Sequence, residues 1–323
     1  MYYIVVNPNS DRGRTMFYLP TLTAFFDEAD IPYETHITTA KMDGYEQTQK
    51  FCQSHPDLKG VIGIGGDGII QEITAGMAAA FLPKHNKIPI PLGILPSVTG
   101  SDFISTFEGS KHMANAKYGK NKNIIEVCRS LFGAVIGNRY RNMDLVTAGG
   151  MAFMNNGHIG LDANVAKSAA ERERKFDDKS YLTMVYKNIM QHKNIRLSIE
   201  AKTETENEPI TELYEGEFTM MVVGNGQYYG SGMRICPDAK IDDGKLSLCL
   251  VEGMSRIKAM SIFPTILMER HTHRKVFKFV ECDSVKVTLP PETDFFCMDG
   301  NIYPCKDEIE FKILPRALNI LEV

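Results

Sequence analysis

The stretch Val61-Ile62-Gly63-Ile64-Gly65-Gly66-Asp67-Gly68 decides the fold. Its first four residues carry no polar side chain, which is the pattern of a strand buried on both faces. It runs directly into a glycine loop, and Ile69–Phe81 beyond reads as a helix. Glycines let backbone N–H groups approach an anion without a Cβ in the way, and the helix N-terminus adds a favourable dipole. In open α/β sheets ligands bind beyond the carboxyl ends of the strands, where this loop must lie. Asp67 stands in that loop, where it could face a metal ion riding on phosphates. A tight turn with a solvated Asp is the plain alternative for this loop taken alone.

Working outward, the loop has company. Tyr3–Val6 is a short apolar strand ended by Asn7-Pro8-Asn9-Ser10-Asp11-Arg12-Gly13, a second turn on the same sheet edge. Met16, Leu19, Leu22, Phe25 and Phe26 recur at helical spacing, Pro32–Thr38 is extended and Asp43–Ser54 is helical. Pro89–Leu95 is another buried strand, and Gly93-Ile94-Leu95-Pro96-Ser97-Val98-Thr99-Gly100-Ser101-Asp102-Phe103 supplies a hydroxyl and a carboxylate after it. Apolar strands joined by helices imply a three-layer α/β domain around a parallel sheet. Three polar loops at one crevice favour a nucleotide site.

From about Asn138 the texture changes. Met143–Val146 and Met151–Met154 flank Gly149-Gly150 as a hairpin, and Asp162–Phe176 and Ser180–His192 read as helices. Ile195–Ala201, Glu217–Val223, Leu246–Val251, Val276–Val280, Val285–Leu289 and Ile309–Ile313 are short strand-like segments, with an exposed loop at Thr203–Pro209. This half reads as an antiparallel β-sandwich. The expected division is 1–137 with 308–323 for the α/β domain, and 138–307 for the sandwich that takes the substrate.

Composition narrows the classes. The chain has 323 residues, 43% hydrophobic and 24% charged, a globular balance. A net charge of −4 argues against a nucleic-acid binder. Seven cysteines occur singly, without C-x-x-C, and read as buried small hydrophobes in a reducing compartment. The N-terminus lacks a basic segment and a cleavage site, and no apolar run reaches a membrane span. Cytoplasmic location is expected. His271-x-His273-Arg274 reads as a solvated cationic helix end, and Glu171–Lys175 as a salt-bridged solvent face.

The motifs V-N-P-x-S-x-x-G, G-G-D-G-x-x-x-E and G-I-L-P-x-x-T-G-x-D-F, in this order, resemble the diacylglycerol kinase catalytic-domain family, related to sphingosine and ceramide kinases. The second half agrees. Asn155–Ala163 resembles its N-x-x-x-x-G-x-D-A, Gly224-Asn225-Gly226 through Met233 its N-G-x-x-x-G-G-G-M, and Pro237–Leu246 its P-x-A-x-x-D-D-G-x-L. Met298-Asp299-Gly300-Asn301 falls where the family has D-G-E.

The resemblance implies transfer of the ATP γ-phosphate to a lipid hydroxyl such as that of diacylglycerol, with Mg²⁺. It places ATP on Asn7, Thr39, Gly65, Gly66, Asp67, Gly68, Ile69, Ile70, Gln71 and Thr99, with Glu72 supporting the loop. Asp67 is implied as catalytic. A structural magnesium would be held by the Asp243 carboxylate and the carbonyls of Lys240 and Lys245; an ordinary Asp-Asp-Gly turn is the alternative. The implied partner is a lipid met at the inner membrane face by peripheral contact, with no nucleic acid; a homodimer is compatible.

Departures in three of the motifs bear on catalysis. Ile69, Val98 and Ser101 replace the usual Thr, Gly and Asn, and Asn301 replaces the glutamate proposed in the family as base. An amide cannot take a proton near pH 7. Asp299, two residues earlier, is the alternative base. Two further readings stay open: a nucleotide-binding pseudokinase, and a kinase for a soluble acceptor, as in the distantly related NAD kinases.

Overall fold

The computed structural model describes residues 1–96, 101–109, 114, 115, 118, 123–170, 178–230 and 232–322. Val98, Thr99 and the Glu171–Lys175 run therefore lie outside the described residues.

Strands β1 (Tyr2–Val6), β2 (Tyr33–Ile37), β3 (Gly60–Gly65) and β4 (Leu92–Pro96) form a parallel sheet in the order β2-β1-β3-β4. β1, β3 and β4 are buried at every residue, as their unbroken apolar runs require, whereas β2 is the half-exposed edge. Helices α1 (Thr15–Glu28), α2 (Asp43–Ser54), α3 (Asp67–Phe81), α4 (Asp102–Phe107) and α5 (Ile124–Ile136) cover it, α1 packing on α5 and α2 on α3. The α2 sequence buries Gly44, Thr48, Phe51 and Cys52, one helical stripe. α3 is apolar nearly all round and buried accordingly. A Cβ on Gly76 would come within 2.6 Å of the Tyr45 carbonyl, so glycine sets how closely α2 and α3 approach.

The second half builds β5 (Tyr140–Ala148), β6 (Met151–Phe153), β7 (Asn156–Gly160), β8 (Ile195–Thr203), β9 (Ile210–Gly224), β10 (Tyr228–Tyr229) and β11 (Met233–Arg234). β12 (Leu246–Glu252), β13 (Phe277–Cys282), β14 (Ser284–Thr288), β15 (Phe295–Met298), β16 (Asn301–Pro304) and β17 (Glu308–Leu321) follow. The path β16-β15-β7-β9-β8-β14-β17 is antiparallel throughout. Gly149 and Gly150 turn the β5–β6 hairpin with φ of +56° and +78°, a conformation glycine adopts without a Cβ penalty. Helices α6 (Leu161–Ala170), α7 (Asp178–Gln191) and α8 (Arg256–Leu267) lie over a third apolar cluster.

β17 joins the two halves. Its first residues pair antiparallel with β14, while Ile320 pairs parallel with Leu92 of β4. A register shift against β5 between Leu314 and Leu318, with Arg316 at φ +51°, lets one strand serve both sheets.

Two sequence expectations need correction here. His271 is fully buried rather than solvated; its Nε2 lies 3.1 Å from the Ile235 carbonyl oxygen, and burial lowers its pKa, against a cationic form. α3 begins at Asp67, two residues before the apolar periodicity does, because Gly66 takes the extended N-cap conformation. All seven cysteines are free and six are buried, as expected of small hydrophobes.

Candidate functional site

The parallel strands deliver their polar loops to one edge. The carboxyl ends of β2, β1 and β3 lead into Thr39, Asn7 and Gly65. The Asn7 N–H bonds the Ile64 carbonyl at 3.1 Å, and the side-chain Oδ1 accepts from Asn9 N–H at 3.0 Å. Thr39 is exposed and donates both its N–H and its hydroxyl to Asp43 Oδ2, at 2.8 and 3.2 Å. Asn7, Thr39, Gly65, Gly66, Asp67 and Gly68 are thus brought to one crevice.

Asp67 occupies the first turn of α3 and faces the start of α4. Its Oδ1 accepts from the Ser101 hydroxyl at 3.0 Å, and its Oδ2 from the Asp102 N–H at 2.7 Å. Burial, then the charges of Asp102 and Asp299, push its pKa well above the ordinary carboxylate range. Asp102 accepts from Gly232 N–H at 2.6 Å and so ties α4 to the loop before β11. Asp67 and Asp102 thus sit side by side, and a hard cation such as Mg²⁺ would relieve their repulsion; among the described residues no group of three or more His, Cys, Asp or Glu is placed to hold a metal ion.

The other members of the loop face inward. Ile69 is 5% exposed and wedged beneath it: Cβ atoms on Gly44 and Gly65 would each lie 2.4 Å from its side chain. The residue standing where the related motif has Thr therefore packs α2 to the loop. Ile70 is buried too, so both offer the crevice only backbone. Glu72 sits in the second turn of α3. Its two oxygens accept from Met42 N–H at 3.1 Å and Gly44 N–H at 3.2 Å, which holds the start of α2 instead of the glycine loop.

Gln71 and Asn301 form a latch between the domains. Asn301 Nδ2 donates to the Gly68 carbonyl at 2.8 Å and to Gln71 Oε1 at 2.9 Å. Gln71 Oε1 also accepts from Tyr303 OH at 2.6 Å, and Gln71 Nε2 donates to the Ala152 carbonyl at 2.9 Å. Asp299, at φ +45°, turns into a nest of backbone donors: Met154 N–H at 2.9 Å, Asn155 N–H at 3.1 Å and Asn156 N–H at 2.8 Å. Burial outweighs those bonds and pushes its pKa up to about 6. Both Asp299 oxygens are committed to holding the β6–β7 turn.

Sequence reasoning missed three features. Lys41 Nζ reaches across to the Ile302 carbonyl at 3.3 Å, placing a cation beside the cleft. The second is the role of Asp102, read in sequence only as a carboxylate after β4, which ties α4 to the loop before β11. The third is a narrow cavity of ≈ 40 Å³ under α6, α7 and α8, lined by Leu161, Val165, Ile189, Met220 and Phe263 among other apolar residues. Asp162, Thr219 and Tyr229 supply its polar lining. The Asp162 carboxylate is buried 2.7 Å from His158 Nδ1, and the His158 ring lies 5.2 Å from that of Tyr229. No compact motif announces such a slot, because its lining comes from separate helices and strands.

The Asp-Asp-Gly turn lies apart, under β5 and β17. Asp243 is exposed and accepts from Lys245 N–H at 3.0 Å, the bond of an ordinary Asx turn. Lys245 Nζ pairs with Asp283 at 2.8 Å. Lys240 precedes the turn. Beneath it Asp144 is fully buried, accepting from Gly244 N–H at 2.7 Å and Arg316 N–H at 2.6 Å. Burial raises the Asp144 pKa, and the charges of Asp243 and Asp242 add to the rise. Asp242 pairs with Arg141 at 2.7 Å, so each of the three acids at this turn already has a partner within the protein.

Comparison with known proteins agrees with this geometry. Residues 1–144 match the model of the diacylglycerol kinase catalytic domain, and residues 157–322 match that of the YegS C-terminal NAD kinase beta sandwich-like domain. The chain is 24% identical to a diacylglycerol kinase of Bacillus subtilis over 88% of this chain and 85% of that one. It is 25% identical to a diacylglycerol kinase of Mycobacterium tuberculosis over 80% and 74% of the two. A crystal structure of a diacylglycerol kinase from Bacillus anthracis superposes with a TM-score of 0.71 at 20% identity, covering 100% of this chain and 96% of that one. With a glycine-loop α/β domain, a YegS-type sandwich and a crevice of carboxylates between them, the chain belongs to the diacylglycerol kinase catalytic-domain family of lipid kinases.

Proposed function

We propose that this protein transfers the γ-phosphate of ATP to the hydroxyl of a lipid such as diacylglycerol. The observation that carries the reading is Asp67 at the N-terminus of α3, flanked by the glycine loop and crowded by Asp102 and Asp299. ATP lies along the loop, its phosphates met by backbone N–H groups of Gly66–Gly68, with Asn7 and Thr39 at the rim. Asp67 and Asp102 would hold Mg²⁺, which would supply charge neutralisation at the phosphates. Lys41 adds a positive charge on the same side. The slot under α6–α8, too small at ≈ 40 Å³ to enclose an acyl chain as it stands, marks where the lipid would enter by parting its walls, with Asp162, Thr219 and Tyr229 as its polar lining.

The chain's contribution is positioning and charge neutralisation, the main demands of phosphoryl transfer. With an amide at position 301 and Asp299 occupied by backbone donors, little proton abstraction is available, so turnover is slow. The test is incubation with γ-³²P-ATP over a panel of diacylglycerol, phosphatidylglycerol and sphingoid bases, followed by chloroform extraction. Label in the organic phase supports the reading. Label only in water-soluble product, or ATP binding without transfer to any lipid, overturns it. A second reading, a nucleotide-binding protein without transferase activity, draws on one observation: Asn301 serves as a two-donor latch where a base would stand.

A further inference from the structure

We infer that the corner formed by the end of α7 and the start of α8 is a membrane-docking surface that inserts Ile257 into a bilayer of anionic phospholipid. Ile257 is 82% exposed, in the first turn of α8. Exposed Arg256 and Lys258 stand on either side of it in sequence. The end of α7 lies alongside, because Arg256 Nε donates to the His192 carbonyl at 3.0 Å. That contact brings up Met190, 49% exposed, and the exposed Lys193. Two exposed apolar side chains and three cations lie within two residues of that contact.

The corner breaks two local rules at once. The first turn of α8 carries no acidic residue, although Ser255 caps it properly, and both its charges are basic, at the positive end of the helix dipole. A large aliphatic residue left almost wholly in water gains nothing for the fold. Departures of this kind concentrate at functional surfaces. Phospholipid bilayers answer both: their headgroups attract lysine and arginine, and their acyl region accepts the isoleucine. The nearby acids, Glu252 at the end of β12 and Glu217 on β9, belong to strands rather than to the first turn of α8. The same two elements line the apolar slot: Ile189 precedes Met190, and Met254 and Ala259 flank Ile257. Docking here presents the slot to the lipid it is proposed to take, so the inference rests on that reading for its purpose though not for its test.

The experiment is co-sedimentation of the full chain with sucrose-loaded vesicles of phosphatidylcholine alone or with 30 mol% phosphatidylglycerol (an ~30% mixture chosen to carry surface charge). Wild type is expected on the anionic vesicles, released by salt. Ile257→Asp is expected to weaken partition about tenfold or more, and Lys193→Glu with Lys258→Glu by a similar factor. Ile210→Asp, at an equally apolar but distant exposed position, is expected to bind as wild type. Equal binding by wild type and both docking variants, or equal loss in Ile210→Asp, overturns the inference. So does a wild-type dimer, seen by analytical ultracentrifugation, that Ile257→Asp splits while no form binds vesicles. If wild type binds vesicles yet phosphorylates no lipid, docking stands and the proposed activity falls. Ile257→Asp should phosphorylate a short-chain diacylglycerol dispersed in detergent as fast as wild type.

Discussion

Replacing Asn301 by aspartate should destabilise the protein more than deleting the side chain does. The Gly68 carbonyl can only accept, which fixes the Asn301 amide with its Nδ2 toward it. That orientation requires Gln71 to present Oε1 to Asn301, which leaves Nε2 to meet the Ala152 carbonyl. Two amides thus run in one direction between two carbonyls. A carboxylate at 301 donates to neither partner. If Gln71 turns to donate to it, Oε1 then faces Ala152 instead, so the mismatch moves without vanishing. Each neutral hydrogen bond contributes about 1 kcal/mol, and each buried group left facing the wrong partner costs about 1–3 kcal/mol. Asn301→Ala should therefore lose about 1–2 kcal/mol and Asn301→Asp about 2–4 kcal/mol. The deficit of the Asp variant should shrink as pH falls, since a protonated carboxyl can donate to Gly68. Urea unfolding of the three proteins at pH 7 and pH 5, without nucleotide or metal, measures this. An Asp variant as stable as wild type at pH 7, or one more stable than the Ala variant, refutes the latch.

Other expectations follow from the carboxylates. Asp67→Asn should abolish phosphoryl transfer while leaving the metal-free melting temperature unchanged or higher, because the native charge is crowded by Asp102 and Asp299; wild-type turnover would remove Asp67 from the site. Asp243→Ala, and EDTA on wild type, should each lower the melting temperature, since a cation that binds only the folded state stabilises it; if neither does, the metal at Lys240, Asp243 and Lys245 should be dropped. For Asp299 the sign is that of an acid whose folded pKa is raised. Its contribution is full below the unfolded value of 3.8 and is lost as pH rises through about 6. That amounts to about 3 kcal/mol at 1.36 per unit. Asp299→Asn should be less stable overall, because an amide cannot accept from three backbone donors with both of its ends. Measured without metal, it should also lose that part of the slope between pH 4 and 7.

The fold was legible where the local pattern and the tertiary environment agree. An unbroken apolar run such as Val61–Ile64 has no place but a sheet covered on both faces, and β3 is there. Asp43–Ser54 shows its buried stripe in sequence and forms α2 with those bounds. Legibility fell where one element serves two environments. β9 begins seven residues earlier than its apolar portion, because Ile210–Gly216 pairs with β8 while remaining largely exposed. β17 runs on past Ile313 because a bulge redirects it from one sheet to the other. In the site, the glycine loop and Asp67 were readable as chemistry. Gln71 was readable only as a loop neighbour, and its partners Ala152, Asn301 and Tyr303 lie 81 to 232 residues away. Ile69 read as a departure from the motif's usual Thr, but its side chain fills the space that Gly44 and Gly65 leave open.

The amide at position 301 poses the question of how much catalysis remains, and Asn301→Glu addresses it. A general base contributes about 10²–10⁴-fold, or roughly 3–5 kcal/mol at 1.36 kcal/mol per decade. In a dissociative transition state the acceptor hydroxyl carries little positive charge until late, so its absence leaves a slow enzyme rather than none. A glutamate reaches one methylene further than the asparagine and can clear Gln71 toward the cleft. It gives up both bonds of the latch in doing so, at the cost argued above for aspartate. Single-turnover assays over a lipid panel should therefore show transfer raised at least tenfold together with a lower melting temperature. The gain should fall short of the full value of a base, since the domains are held less firmly. Asp299→Asn supplies the control: with its oxygens bound by Met154, Asn155 and Asn156, its loss should lower stability without a selective effect on the chemical step. If wild type is already fast and Asp299→Asn alone stops it in a folded protein, Asp299 is the base. If Asn301→Glu gains nothing on any lipid, the latch is the purpose of this residue, and a nucleotide-binding role without transfer becomes the better account.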